Sequence, residues 1–188
     1  MRFLPTPLPG AFLIEPDCQG DNRGYFARLF CQEEYEAAGL QSGIAQVNMG
    51  HSTLKGTMRG LHYQLPPVAE AKTIRVTRGS LFDVIADLRP DSPTFRHTFG
   101  AELSAENRRM MYVPRGFAHG LLTLTDHVET VYFVSAPYDG TLERGIRFDD
   151  PALGIAWPFE PRIISAKDQA WPELDPAYHG IEHLRDLR

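Results

Sequence analysis

Cysteine is scarce in this chain: Cys18 and Cys31 are the only two among 188 residues. Two thiols cannot build a disulfide framework, and these are not spaced as Cys-x-x-Cys. The reading is a pair of reduced thiols in a cytoplasmic protein. Long apolar runs are missing as well. Nothing approaches the ~20 apolar residues that a membrane span needs, and the opening Met1-Arg-Phe-Leu-Pro-Thr-Pro-Leu-Pro9, broken by prolines, does not read as a signal peptide. Positive charge is in deficit. The 19 Lys and Arg stand against 24 Asp and Glu, a formal net charge of −5 with no basic run. That excludes nucleic-acid binding through a broad positive face, although a few local arginines can still hold a phosphate. Internal repeats, linkers and low-complexity stretches are also lacking. Residues 1–188 are therefore expected to form one domain, long enough to bury a proper core.

What the chain does have is a succession of short strand signals parted by turns. Strands are expected at 11–15, 25–30, 43–49, 57–64, 97–103 and 109–113. Residues 72–77 and 81–88 read as a hairpin through Arg78-Gly79-Ser80, and 118–124 with 128–135 as a second around Thr125-Asp126-His127. Residues 20–24 read as a turn. A short helix over 32–38 is stopped by Gly39, with weaker helix signals near 165–170 and 181–187. Beyond Ala136 prolines multiply, and the last third reads as looser. Many short strands with few helices predict an all-β antiparallel sandwich or barrel with short peripheral helices.

Chemistry is concentrated in Arg59-Gly-Leu-His-Tyr-Gln64 and in the strand opened by Lys72. Side chains alternate between the faces of a strand. Lys72 therefore shares a face with the apolar Ile74 and Val76, and His62 shares one with Gln64. A lysine on a covered face needs partners, which makes these positions candidates for a site. Gln46 and Asn48 likewise share a strand face. His119 follows the Pro114-Arg-Gly116 turn, and Tyr132 lies on the same face as Val128, Thr130 and Val134. Each alone reads as an ordinary core side chain with its polar atom satisfied. Most arginines (Arg23, Arg28, Arg75, Arg78, Arg115) read as surface charge. Arg59 falls opposite His62 by parity, unless Gly60 carries a bulge that re-aims it. Asp168 reads as a helix-start carboxylate near Ser165, and spacing alone does not bring it to His62. A metal-binding barrel would show His-x-His with a nearby glutamate. Here Leu61-His-Tyr63 holds a single histidine, the nearest glutamate is Glu70, and Lys72 adds a positive charge. A bound metal is disfavoured.

Together these segments resemble the dTDP-4-dehydrorhamnose 3,5-epimerase family. The resemblance runs from Gly20-Asp-Asn-Arg-Gly24 to Ala166-Lys-Asp168. It passes through Arg59–Gln64, Leu81–Thr94, Leu103-Ser-Ala-Glu-Asn107, Val113-Pro-Arg-Gly-Phe-Ala-His-Gly120 and Gly154-Ile-Ala-Trp-Pro158. It implies a metal-free cupin-type jelly roll without cofactor, a homodimer in most members, acting on a dTDP-linked 4-keto-6-deoxy sugar. The resemblance implies His62 as base, Asp168 as the carboxylate behind it, Tyr132 as acid and Lys72 at the keto oxygen. Arg59, His119, Gln46, Asn48 and Lys167 are implied as substrate contacts, Tyr138 as the aromatic that stacks on thymine, and Arg23 as a residue reaching the neighbouring subunit's site. Two segments depart from the pattern. Arg28 stands at a substrate-facing position where many members carry glutamate, and Gln46-Val-Asn-Met-Gly-His51 replaces Gln-Asp-Asn-His-Ser. The readings to be separated are a 3,5-epimerase, a mono-epimerase at C3 or C5, a keto-isomerase, a metal-dependent cupin oxygenase and a non-catalytic sugar-nucleotide binder.

Overall fold

Two antiparallel sheets face each other across an apolar core in the computed structural model, which describes residues 1–187. Seven strands come first: β1 (Arg2–Pro5), β2 (Phe12–Glu15), β3 (Cys18–Asp21), β4 (Gly24–Ala27), β5 (Gln46–Ser52), β6 (Thr57–Gln64) and β7 (Lys72–Arg78). They are followed by β8 (Ser80–Asp87), β9 (Thr98–Ser104), β10 (Met110–Val113), β11 (Phe117–Thr123) and β12 (Val128–Val134). Two short strands, β13 (Glu143–Gly145) and β14 (Ile163–Ile164), close the set. The first sheet runs β1-β2-β10-β7-β12-β5. The second runs β13-β6-β11-β8-β9, with β14 added in parallel along β6. Strands β3 and β4 pair, among the described residues, only with each other. The fold is the all-β cupin-type jelly roll expected, with helices among the described residues confined to α1 (Gln32–Ala37), α2 (Ala166–Gln169) and one 3-10 turn at Ile181–Leu184. Among the described residues no helix is long and apolar enough to cross a membrane.

The strands stand close to where the sequence placed them, but neither expected hairpin exists. Strand β7 lies in the first sheet and β8 in the second, and the same holds for β12 and β11. The turns at Gly79 and at Thr125–His127 are corners where the chain changes sheet. They pack on each other: Ser80 N–H donates to Thr125 Oγ1 at 3.0 Å, and Leu124 N–H to the Ser80 carbonyl at 2.9 Å. Gly79 is required there, because it sits at φ +73° and a Cβ would lie 2.5 Å from Thr125 Oγ1. The opposite correction applies at 20–24, where the expected turn is the tip of the β3–β4 hairpin.

Each sheet carries an apolar cluster on its outer face as well as the shared core, although the edge strand β5 leaves Val47 and Met49 exposed. Ile74, Val76 and Met111 of the first sheet meet Leu81, Ile85 and Leu121 of the second in the central core. Helix α1 covers the outside of the first sheet through Tyr35, whose hydroxyl burial pushes up to about 12. The final third is not loose. Ile146, Leu153, Ile181 and Leu184 close the outer face of the second sheet over Leu61 and Tyr63. That double covering explains why β8 reads as a near-continuous apolar run rather than an alternating one.

Candidate active site

One end of the sandwich is not filled by apolar side chains. A cavity of about 540 Å³ adjoins a second of about 380 Å³, and the residues lining both are His62, Lys72 and Tyr132. Strand β7 shows how this arises: Ile74 and Val76 enter the core, while Lys72, at the strand's start on the same face, reaches the open end. Tyr132 stands opposite Ile74 in the neighbouring β12. His62 comes from β6 in the facing sheet. A histidine and a tyrosine thus enter one space from opposite walls.

Arg59 and His62 face the same cavity although parity separates them. Their cross-strand partners explain it. His62 lies opposite His119 and Arg59 opposite Leu121, so β6 spends one more residue than β11 over this stretch. The bulge falls at Gly60, whose φ is +100° and where a Cβ would lie 2.5 Å from the His119 carbonyl oxygen. The guanidinium is held by the Ser52 hydroxyl at 3.0 Å and the His51 carbonyl at 2.9 Å. His119 contacts Asp83 Oδ1 through Nε2 at 2.8 Å. Asp83 is fully buried, and its Oδ2 has no hydrogen-bond partner among the described residues.

Asp168 is brought to His62 by the chain's return. Strand β14 lies parallel to the start of β6, with Ile164 beside Met58, so the Ser165 cap and α2 land next to Gly60. The Ser165 hydroxyl accepts the Asp168 N–H at 3.0 Å, as expected of a helix start. The Asp168 carboxylate meets His62 Nε2 at 2.5 Å and accepts the Gly60 N–H at 3.4 Å. Burial pushes its pKa up, but the bonds from His62, Ser165 and Gly60 outweigh this and hold it below the usual aspartate value. With Asp168 ionised, the proton of Nε2 sits in that short bond, and Nδ1 is left as the basic nitrogen.

Several members of the site went unremarked in the sequence. Strand β13 sets Glu143 beside Gln64, with Oε1 3.9 Å from His62 Nδ1. Glu143 also accepts from the Tyr138 hydroxyl at 2.9 Å and pairs with Lys167. Burial raises the Glu143 pKa, but Lys167, Tyr138 and His62 together bring it below normal. Trp171 packs edge-on to His62 at 6.1 Å between ring centroids, in space that exists because residue 145 is glycine. Strand β13 is three residues long, too short for periodicity to expose its role. Gln46 and Asn48 line the smaller cavity with Tyr138, whose N–H donates to Gln46 Oε1 at 3.2 Å. The register of β5 with β12 is unbroken from Gln46 to Ser52.

Arg23 and Arg28 do not line either cavity. Arg23, at the tip of the exposed β3–β4 hairpin, pairs with Asp21, and Arg28 pairs with Glu34 at 3.1 Å. Among the described residues no three His, Cys, Asp or Glu side chains are grouped to hold a metal ion.

A jelly roll whose facing sheets present acid–base side chains to one cavity, with arginine and lysine cations and a second histidine around it, belongs to the class of cupin-type sugar-nucleotide epimerases. Comparison with known proteins narrows the class. The family model for dTDP-4-dehydrorhamnose 3,5-epimerase matches residues 5–176, and the chain belongs to that family. It is 45% identical over 175 residues to the dTDP-4-dehydrorhamnose 3,5-epimerase of Sinorhizobium fredii, a match covering 93% of this chain and 90% of that one. The solved dTDP-4-dehydrorhamnose 3,5-epimerase of Bacillus anthracis, with TDP and pyrophosphate bound, superposes with a TM-score of 0.89 at 40% identity, covering 92% of this chain and 99% of that one. The dTDP-6-deoxy-D-glucose-3,5-epimerase of Legionella pneumophila, in complex with dTDP-4-keto-L-rhamnose, gives a TM-score of 0.85 at 36% identity and 90% coverage of each chain.

Proposed function

We propose that this protein epimerises dTDP-4-dehydro-6-deoxy-D-glucose at C3 and C5 to dTDP-4-dehydro-L-rhamnose, in dTDP-L-rhamnose or related deoxysugar biosynthesis. A ketone at C4 acidifies the hydrogens on both neighbouring carbons, because the carbanion is an enolate. His62 takes the proton through Nδ1, and the electron pair of the broken C–H bond moves onto the keto oxygen. The Lys72 ammonium stabilises that oxygen as its charge develops. The Tyr132 hydroxyl then gives a proton to the carbon from the opposite side. The imidazolium and phenolate left behind return to rest by exchange with solvent. Asp168 holds the imidazole in the tautomer required and favours its charged form. Arg59, His119 and Lys167 hold the substrate in the larger cavity, while Gln46, Asn48 and Tyr138 hold it in the smaller. The observation that carries the reading is the His62–Asp168 pair at 2.5 Å in a cavity that Tyr132 enters from the facing sheet.

The chain works in this reading as one cupin-like unit, as a cytoplasmic homodimer in which Arg23 reaches the neighbouring subunit's site and Arg28 contacts the substrate. Incubation with the dTDP-4-keto sugar in deuterated water tests the chemistry. Deuterium is expected at C3 and C5; incorporation at one carbon alone would make the enzyme a mono-epimerase, and none at either would refute the reading. His62→Ala and Tyr132→Phe are expected to lower exchange by about 10²- to 10⁴-fold while dTDP still binds, measured by calorimetry. A non-catalytic binder would show no exchange to lose, and a ketone found at C3 in the product would identify a keto-isomerase.

A further inference from the structure

Lys72 is held by a carboxylate that the mechanism above does not use. Its ammonium lies 2.9 Å from Glu70 Oε1, with only 13% of the lysine side chain and 8% of the glutamate side chain exposed. The other carboxylate oxygen, Oε2, accepts the Gln64 amide at 2.8 Å. Gln64 is itself fully engaged. Its NH₂ also reaches the carbonyls of Val68 at 3.1 Å and Pro137 at 3.2 Å, and its Oε1 accepts the Asp139 N–H at 2.6 Å. The amide therefore cannot rotate without breaking bonds on both ends, and it pins Glu70 from behind. Without Glu70, Lys72 would be a four-carbon stem ending in three rotatable donors, free to sweep the junction of the two cavities.

We propose that Glu70 is a positioning residue for Lys72: braced by Gln64, it fixes the ammonium at the point where the keto oxygen's charge develops. The assignment rests on Lys72 meeting the keto oxygen, as read above. Placement of a charged donor matters more in the transition state than in the ground state, because negative charge builds on the keto oxygen only as the C–H bond breaks. Loss of Glu70 therefore acts on kcat more than on KM. The brace also runs through Pro137 and Asp139, the neighbours of Tyr138. The segment that carries the aromatic of the smaller cavity and the lysine at the keto oxygen are thus set by one glutamine–glutamate bridge.

Steady-state kinetics of Glu70→Leu, Glu70→Gln and Lys72→Met, singly and combined, test this. Glu70→Leu removes both acceptors and is expected to lower kcat by about 10- to 50-fold with KM within threefold. Glu70→Gln keeps one acceptor but sets its NH₂ against one of the two donors, Lys72 or the Gln64 amide, and is expected to recover only part of that loss. In a Lys72→Met background Glu70→Leu is expected to add less than a twofold further loss, because a residue that acts through another has no effect once the other is gone. Full activity in Glu70→Leu, or a further tenfold loss in the Lys72→Met background, would overturn the proposal while leaving the lysine's role intact. Full activity in Lys72→Met would overturn both. Circular dichroism melting of each variant separates misfolding from misplacement. If Glu70→Leu fails to fold, the Glu70→Gln and Lys72→Met combination carries the same decision.

Discussion

His62 shows how far a residue can be read before a fold is known. Strand parity put it beside Gln64 on a covered face, which the second sheet bears out, since Leu61 and Tyr63 turn to the opposite core. Parity failed for Arg59, and only the extra residue at Gly60 sets both on one side. Asp168 was beyond any local pattern, because its approach depends on a parallel pairing of just two residues, Ile163 and Ile164. The chemistry of the pair gives a residue-scale prediction. Asp168 is held below the usual aspartate pKa, so it is ionised at neutral pH and accepts the Nε2 proton. Asp168→Asn keeps the shape but presents an amide that can donate to Nε2 and stabilise the other tautomer, with Nδ1 protonated. Solvent exchange at C3 and C5 is expected to fall by about 10²-fold or more, with dTDP affinity within a few-fold of the parent. Unchanged exchange in Asp168→Asn would mean that the base draws nothing from the carboxylate.

Elements were legible as strands but not as partners. Propensity and turn residues mark where a strand ends; they do not say into which sheet the next one folds. Gly79 and Thr125 served two corners rather than two hairpins; β8 and β11 are buried along nearly their whole length, so their apolar pattern does not single out a sheet. Glu143 and Trp171 were hidden for a related reason, since they lie in a proline-rich segment whose short strand has no periodicity. The loop after β8 is the element whose stability depends most plainly on one charge. The fully buried Asp87 carboxylate accepts from Arg89 Nε at 2.9 Å and Nη2 at 2.8 Å, from Ser92 at 2.5 Å and from Thr94 at 2.8 Å. Burial raises its pKa, yet Arg89, Ser92 and Thr94 bring it below normal. A carboxyl with a folded pKa below its unfolded value stabilises the fold above the unfolded value, about 3.9. That contribution is lost as pH falls through the folded value. Chemical denaturation is therefore expected to show Asp87→Asn less stable by about 3 kcal/mol at pH 7. The gap should narrow as pH drops below about 4. An equal gap at pH 7 and pH 3 would show that the charge is not what holds the loop.

At the scale of the whole molecule, the surface carries two features that one chain does not use. Strand β5 ends the first sheet with an unpaired edge, and Met49 on it is 70% exposed with Val47 beside it. The β3–β4 hairpin projects from the sandwich with Phe26 74% exposed and Arg23 at its tip. An open edge with apolar side chains invites pairing with another chain, and contiguous apolar exposure of this kind marks an interaction surface. A two-fold dimer would cover both features and carry each Arg23 toward the partner's cavity. Arg23→Ala is then expected to raise KM while leaving the His62 chemistry intact. Mixing separates this from a local effect. Arg23→Ala retains His62, and His62→Ala retains Arg23, so each supplies what the other lacks only if the arginine works across the interface. After equal amounts are unfolded together and refolded, half of the dimers are mixed and each holds one complete site. Activity at low substrate is therefore expected to reach about a quarter of the parent's, well above the sum of the two variants alone. A mixture no more active than that sum would place Arg23 outside the neighbouring site, and a monomer in sedimentation at working concentration would remove the dimer altogether.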